Sequence, residues 1–126
     1  MNPRTVLIVD DQPDVLQPQA QSLERAGYRV VFADNADEAL DSVRSQAPDA
    51  VLIDLKMPYV NGMGLLYRIR EITPQIPAAI ITGAVDVDEE TRSELQSMGV
   101  ALHFKPLTLQ QTLTIVDSLV ASGGRN

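Results

Sequence analysis

The sequence predicts an α/β domain in which helices cover a parallel sheet, and three observations support this prediction. Short apolar runs alternate with longer stretches of helical periodicity, in five successive units. The first, third and fourth runs are apolar almost throughout, which is typical of strands buried on both faces. The 126 residues, 44% of them hydrophobic, also have the size and composition of a single domain with one core.

The apolar runs give the predicted strands and the periodic stretches give the predicted helices. In chain order, the strands are Thr5–Val9, Arg29–Ala33, Ala50–Ile53, Ala78–Ile81 and Ala101–Phe104. The helices are Pro13–Ala26, Ala36–Gln46, Gly62–Ile72, Val87–Met98 and Leu107–Ala121. Two helices show an apolar stripe, formed by Val15, Leu16, Leu23 and Ala26 in the first and by Leu109, Leu113, Val116 and Val120 in the last.

Residues that start and stop helices lie at several of these boundaries. Pro13 suits the first turn of a helix, where a missing N–H costs nothing, and Gly27 suits a C-terminal cap. Asn35 and the acidic residues after it suit a helix start, because they cap free N–H groups and complement the helix dipole. Pro48 is expected to stop the second helix.

Composition excludes several classes of function. The chain has no cysteine, so disulfides, cysteine-ligated zinc and a cysteine nucleophile are ruled out. Its net charge of −7 disfavours binding of DNA or RNA by this segment. The apolar stretch near the N-terminus is too short for a secretory signal or a bilayer span, so we expect a cytoplasmic protein with no membrane contact. One domain is expected over residues 1–126, with its core at about 5–121 and a flexible tail or the start of a linker at 122–126.

Polar residues follow four of the predicted strands at the points where these strands end. Asp10 and Asp11 follow the first strand, Asp54 the third, Thr82 the fourth and Lys105 the fifth. Because the carboxyl ends of parallel strands meet at one end of a sheet, we expect these side chains to converge. Crowded carboxylates need a cation, and a hard, oxygen-liganded ion such as Mg²⁺ suits them. A carboxylate beside a divalent metal, a lysine and a hydroxyl could accept a phosphoryl group as an acyl phosphate.

Taken singly, each of these residues has an ordinary structural interpretation. Asp10 and Asp11 would cap a helix, Asp54 would lie in a turn, and Thr82 would be a strand or cap residue. A lone lysine is usually solvated. Their joint placement at four strand ends favours a site. His103, the only histidine, receives no role, because a solitary imidazole on a strand is more often structural or exposed than catalytic.

Four segments make the chain resemble the receiver domains of two-component response regulators, in the CheY-like superfamily. They are Val6–Asp11, Val51–Pro58, Ile80–Gly83 and Phe104–Pro106, and the resemblance spans residues 5 to about 120. It implies a single-domain flavodoxin-like fold. This is a three-layer sandwich of five βα units whose parallel five-stranded sheet has the strand order 2-1-3-4-5.

The resemblance also implies a role for each site residue. Asp54 would be phosphorylated by a partner histidine kinase, and Thr82 and Lys105 would contact the phosphoryl group. The Lys105–Pro106 peptide bond would be cis. Mg²⁺, or Mn²⁺ in its place, would be held by Asp10 (largely through water), Asp11, Asp54 and the backbone carbonyl of Lys56.

In the resembled family, phosphorylation alters the face formed by the fourth helix, the fifth strand and the fifth helix. This face would bind an output domain or a downstream protein, and homodimer formation on phosphorylation is a further expectation. Leu102 lies at the place of the usual aromatic switch residue, and the segment from Gly99 to Lys105 is one residue shorter than common. We therefore predict an altered output face with an intact phosphorylation site. Lys56 and Ala84 lie where the family tunes the lifetime of the acyl phosphate.

Three other functions compete with this interpretation. A phosphatase with an aspartyl nucleophile typically needs a second acid two residues after the nucleophile, where this chain has Lys56. A nucleotide-binding domain would need a glycine-rich loop after the first strand, where the chain has Asp10-Asp11-Gln12-Pro13. An interaction module that works without phosphorylation would not need the five site residues that this chain retains.

Overall fold

Five strands form one parallel sheet at the centre of the fold. The computed structural model describes residues 3–57, 60–83 and 87–123. Within them the strands are β1 (Thr5–Val9), β2 (Arg29–Ala33), β3 (Ala50–Asp54), β4 (Ala78–Thr82) and β5 (Ala101–Phe104). Their order is β2-β1-β3-β4-β5, and every neighbouring pair is parallel. The predicted sheet and its strand order are confirmed.

Five α-helices connect or follow the strands. They are α1 (Gln17–Arg25), α2 (Ala36–Gln46), α3 (Gly62–Ile72), α4 (Glu89–Ser97) and α5 (Leu109–Gly123). Helices α2 and α3 have the predicted bounds. Helices α4 and α5 begin later than predicted, because the side chains of Asp88 and Thr108 accept hydrogen bonds from the N–H groups of Thr91 and Gln111. These two residues therefore act as N-caps.

The prediction for the first helix is wrong in its first part. Pro13–Leu16 form a 3-10 helix, and the α-helix begins only at Gln17. Pro18 explains the break, because it has no N–H to donate to the carbonyl four residues earlier and so cannot lie inside a continuous helix. The predicted stop at Gly27 is confirmed, since this residue has a φ of +100° directly after the helix cap.

Both predicted apolar stripes lose members at their ends. Val15 is 56% exposed and Leu109 is 42% exposed, because each lies in the first turn at the edge of the core. Ala26 is also exposed, whereas Leu23 and Val116 are fully buried. Helix α5 continues through Gly123, two residues into the tail predicted from residue 122, and residues 124–126 lie outside the described part.

The core lies on both faces of the sheet. Alternate residues of β1 divide between them, with Leu7 and Val9 in one cluster and Val6 and Ile8 in the other. The first cluster packs under α2, α3 and α4, and the second packs under α1 and α5. This arrangement confirms the predicted three-layer sandwich. No helix in the described ranges is long and apolar enough to cross a membrane.

A short antiparallel ladder after β3 was not predicted. Lys56–Met57 pair with Val60–Asn61, and Pro58, one of the motif residues, lies between them outside the described residues. The ladder fixes the start of α3, because the side chain of Asn61 accepts a hydrogen bond from the Met63 N–H at 2.9 Å. It thereby ties the chain after Asp54 to the following helix.

Candidate functional site

Three carboxylates converge at the carboxyl ends of β1 and β3. Asp54 is the last residue of β3, Asp10 and Asp11 follow β1, and the two strands are parallel neighbours. Carboxylate oxygens of all three residues lie within 4.8 Å of one another. Asp10 is 1% exposed and Asp54 is 7% exposed. The structure thus places the three predicted acids in one cluster.

Lys105 brings a positive charge to this cluster from β5, on the far side of β4. Its Nζ lies 2.6 Å from Asp10 Oδ2 and 3.4 Å from Asp54 Oδ2. The backbone N–H of Lys105 donates to the carbonyl of Thr82 at 2.8 Å, which fixes the residue beside the end of β4. The Lys105–Pro106 peptide bond is cis. One ammonium therefore faces three carboxylates, and a net negative charge is left in the pocket.

The backbone turns after β1 and β3 use the same carboxylates. Asp10 Oδ1 accepts a hydrogen bond from the Gln12 N–H at 2.8 Å, and Asp54 Oδ1 accepts one from the Lys56 N–H at 3.3 Å. The helix-capping interpretation of Asp10 and Asp11 is wrong, because Gln12 is the N-cap residue of the 3-10 helix; Asp10 instead caps the turn after β1. Capping and clustering are compatible because each carboxylate has two oxygens, and the second oxygen of both residues faces Lys105.

The pKa values of Asp54 and Lys105 are both raised, for different physical reasons. Burial raises the pKa of Asp54, and attraction to Lys105 and the hydrogen bond from Lys56 only partly offset this effect. Burial opposes the charge on Lys105, but its hydrogen bonds and attraction to Asp10 and Asp54 outweigh burial and raise the pKa of the ammonium. Lys105 thus stays charged beside an acid whose negative charge is costly to bury.

Thr82 lies at the end of β4, next to these residues, and is fully buried. Its neighbour on β5 is Phe104, which is 40% exposed and lies under the guanidinium of Arg92 from α4, 5.5 Å from the ring centre. Leu102 is half-buried and packs against the core under α4. The residue paired with Thr82 across the sheet is thus the aromatic Phe104, which the sequence analysis did not assign. Strand alternation could have found it, because residues 102 and 104 lie on the same face of a strand.

The donor set fits a hard divalent cation. The three acids offer only oxygen, which is what Mg²⁺ and Mn²⁺ prefer, and Lys105 neutralises only part of their charge. The predicted additional ligand, the backbone carbonyl of Lys56, belongs to the residue two positions after Asp54 and stays a prediction. His103 is half-buried on β5, where burial lowers its pKa. Ala84 lies outside the described residues.

Comparison with known proteins shows where this arrangement recurs. A family model described as "Response regulator receiver domain" matches residues 6–117. The probable transcriptional regulatory protein TcrX of Mycobacterium tuberculosis is 28% identical over 122 residues, which are 97% of this chain and 52% of that protein. A response regulator receiver protein of Anaeromyxobacter sp. is 33% identical over 112 residues, which are 89% of this chain and 47% of that protein. The chain therefore spans about half the length of these relatives.

Solved structures agree with these relatives. A CheY-like response regulator receiver domain protein from Methanospirillum hungatei superposes with a TM-score of 0.87 and 26% identity, covering 97% of both chains. A receiver domain protein from Clostridium thermocellum gives a TM-score of 0.84 and 27% identity, covering 96% of this chain and 97% of the other. The family match covers the strands, the acids and Lys105 together. The chain belongs to the response regulator receiver domain family.

Proposed function

We propose that this receiver domain accepts a phosphoryl group on Asp54 from a partner histidine kinase, in a reaction that requires Mg²⁺ or Mn²⁺. One observation carries the proposal: the buried Asp54 carboxylate shares a pocket with two further acids and the Lys105 ammonium. A carboxylate in that setting is a nucleophile whose negative charge burial has made costly. Transfer of a phosphoryl group to a site with a lysine and a metal ion then depends mostly on the positions of the reacting groups and on neutralisation of their charge.

In the proposed step, a carboxylate oxygen of Asp54 attacks the phosphorus of a phosphohistidine. A P–O bond forms, the P–N bond breaks, and the imidazole leaves with the electron pair of that bond. Lys105 moves its ammonium from the acids toward the new phosphoryl oxygens, and the hydroxyl of Thr82 contacts the same group. A bound Mg²⁺ would be held by Asp11, Asp54, the Lys56 carbonyl and, through water, Asp10, and it would neutralise charge on the phosphoryl oxygens.

Phosphorylation then adds about −1.5 to −2 charges to the pocket. We propose that the resulting shift passes from Thr82 to β5 and its neighbours, since Thr82 pairs with Phe104 and Phe104 contacts Arg92 of α4. The face of α4, β5 and α5 would thereby change its preference for an output domain, a downstream protein or a second copy of this chain. We place this cycle in the cytoplasm, and we assign any DNA binding to a partner segment rather than to this acidic one.

Two other activities make different predictions about phosphoryl transfer. A phosphatase would release many equivalents of phosphate, and the exposed Lys56 lies where its proton donor would be needed. An interaction module would take up no phosphoryl group at all. The clustered acids and Lys105 favour uptake of one group over both of these alternatives.

The test is incubation with Mg²⁺ and a small phosphodonor, followed by intact-mass analysis. The wild type is expected to gain one phosphoryl group, and Asp54→Ala none. Asp34→Ala is the matched control, because Asp34 is an exposed acid that follows β2 but lies outside the cluster. Uptake by Asp54→Ala would reject Asp54 as the acceptor, and multiple turnovers would favour the phosphatase.

A further inference from the structure

We propose that Gln19 is a positioning residue for Lys105, a role that rests on the function proposed above. Gln19 lies on α1, and its Nε2 donates a hydrogen bond to the backbone carbonyl of Leu107 at 2.9 Å. Leu107 is two residues beyond Lys105 in the loop that joins β5 to α5. A side chain from the first helix therefore holds the loop that carries the site's ammonium.

The loop around Lys105 is fixed at both ends, and Gln19 holds its middle. On one side, the N–H of Lys105 donates to the carbonyl of Thr82 at 2.8 Å. On the other side, Thr108 and Gln111 exchange hydrogen bonds of 2.8 and 3.0 Å at the start of α5. The carbonyl of Leu107 lies between these anchors. Its bond to Gln19 sets how far the loop, and with it the base of the Lys105 side chain, stands from the acids.

Gln19 is poorly suited to its surroundings as a packing residue. Its Oε1 is buried and has no hydrogen-bond partner among the described residues. The side chain lines a mostly apolar cavity, only about 10 Å³ in volume, that also touches Asp10 and Asp54. A buried amide oxygen without a partner destabilises the folded state, so leucine or methionine would suit packing better here. What glutamine adds is the hydrogen bond to Leu107.

The position of Lys105 matters for phosphoryl transfer because its ammonium must serve two groups in turn. It lies closer to Asp10 than to Asp54, at 2.6 Å against 3.4 Å, and must shift toward the phosphoryl oxygens on Asp54. A small displacement of the loop would change this reach. Misplacement of a charge-stabilising group slows the step it assists while leaving the fold intact.

The first test compares Gln19→Leu and Gln19→Met with Gln21→Leu, an exposed position on the same helix. At saturating phosphodonor and Mg²⁺, we expect both Gln19 variants to take up the phosphoryl group about tenfold more slowly than the wild type. Their resistance to urea should change little, because removal of the unpartnered oxygen offsets the loss of the hydrogen bond to Leu107. Gln21→Leu should match the wild type in both measurements. A Gln19 variant that loses stability but keeps its rate would show a structural role only and overturn the proposal.

The second test asks whether Gln19 acts through Lys105. In a Lys105→Ala background, Gln19→Leu should cause no further loss of rate, since the group that it positions is absent. An undiminished tenfold loss there would overturn the proposal. Hydrogen exchange gives a readout that does not depend on phosphorylation. The backbone amides of Lys105, Leu107 and Thr108 should exchange faster in Gln19→Leu, and unchanged exchange would contradict the proposal even if the wild type accepted no phosphoryl group. Failure of the wild type to accept phosphate would instead reject the proposed function.

Discussion

The two ends of the sheet treat their charged side chains in opposite ways. At the amino ends of the strands, Asp49 accepts a hydrogen bond from the Thr5 N–H at 2.8 Å and lies 3.7 Å from Arg4. Arg70 of α3 donates to the carbonyls of Met98 and Ile76, at 2.8 and 3.0 Å. At the carboxyl ends, three acids lie within 4.8 Å of one another. Among the described residues, Lys105 is the positively charged side chain that forms ion pairs with these acids.

This difference indicates that the charged side chains at the amino end of the sheet stabilise the fold, whereas the crowded acids at the carboxyl end reduce its stability. Charges at the amino end are neutralised or tie neighbouring elements together. At the carboxyl end, burial raises the pKa of Asp54 because its charge is not fully compensated. Under the proposed function, the site must attract a metal ion and a phosphoryl group, and it would need such an imbalance. Substitutions at either end of the sheet test this difference between the two ends.

The largest effect is expected at Gly62, which brings α3 against the chain that carries Asp54. A Cβ at this position would lie 2.6 Å from the Asp54 carbonyl oxygen and 2.8 Å from the Leu55 Cα, and backbone cannot move aside cheaply. Gly62→Ala should therefore lower the free energy of unfolding by about 3 kcal/mol, measured by urea denaturation. The carboxyl end would thus tolerate crowded charge but not an additional carbon atom.

Gly64 provides the matched control on the same helix. A Cβ there would have its nearest neighbour at 3.9 Å, the Cβ of Asn61, which is ordinary contact. Gly64→Ala should raise the free energy of unfolding by about 0.5 kcal/mol, because alanine is the better helix former. Equal losses in the two variants would show that helix α3, rather than its contact with Asp54, is the sensitive feature.

The second effect is expected at the amino end. Arg70→Met removes both hydrogen bonds that join α3 to the residue after α4 and to the residues before β4. We expect a loss of about 2 kcal/mol in thermal or urea unfolding, with unchanged phosphoryl uptake by Asp54. Arg68→Met, at an exposed position of the same helix, should stay within about 0.5 kcal/mol of the wild type. A slower uptake in Arg70→Met would contradict the separation of the two ends.

The third effect concerns the charge on Asp54 and has the opposite sign. Because its pKa is raised in the folded state, the ionised group weakens folding progressively as pH rises from the ordinary carboxyl range through the raised pKa. Without metal at neutral pH, Asp54→Asn should therefore be more stable than the wild type. The difference should vanish as pH falls to where Asp54 is protonated in both the folded and the unfolded states.

Magnesium should reverse this ranking. An ion that binds the folded wild type raises its melting temperature, whereas Asp54→Asn has lost a ligand and should respond less. The measurement is a melting curve at several pH values with and without millimolar Mg²⁺. An unchanged curve for the wild type would count against the acidic cluster as a metal site. A less stable Asp54→Asn at neutral pH would show that attraction to Lys105 outweighs burial.

Local sequence patterns predicted the fold and the three acids well, because both depend on residues that are close together in the sequence. The apolar runs gave the strands, and the polar residue after each run gave Asp54 and Lys105. Features that depend on distant contacts were missed. The hydrogen bond between Gln19 and Leu107 joins residues 88 positions apart, and a glutamine between Pro18 and Ala20 gives no local signal of it. The break at Pro18 was a local signal that helical periodicity concealed.

The smallest effect tests whether the excess of negative charge at the carboxyl end of the sheet also affects the contacts of β5. Arg92 lies over the ring of Phe104, and the contact is partly open to solvent because Phe104 is 40% exposed. A double-mutant cycle of Arg92→Gln and Phe104→Leu should give a coupling of about 0.5 kcal/mol, as for other exposed contacts of this type. Such a weak contact next to Thr82 could be broken by the charge that phosphorylation adds. A coupling above about 2 kcal/mol would instead show that Arg92 holds β5 to α4 as firmly as Arg70 holds its neighbouring elements. A movement of Thr82 would then not reach the face formed by α4, β5 and α5.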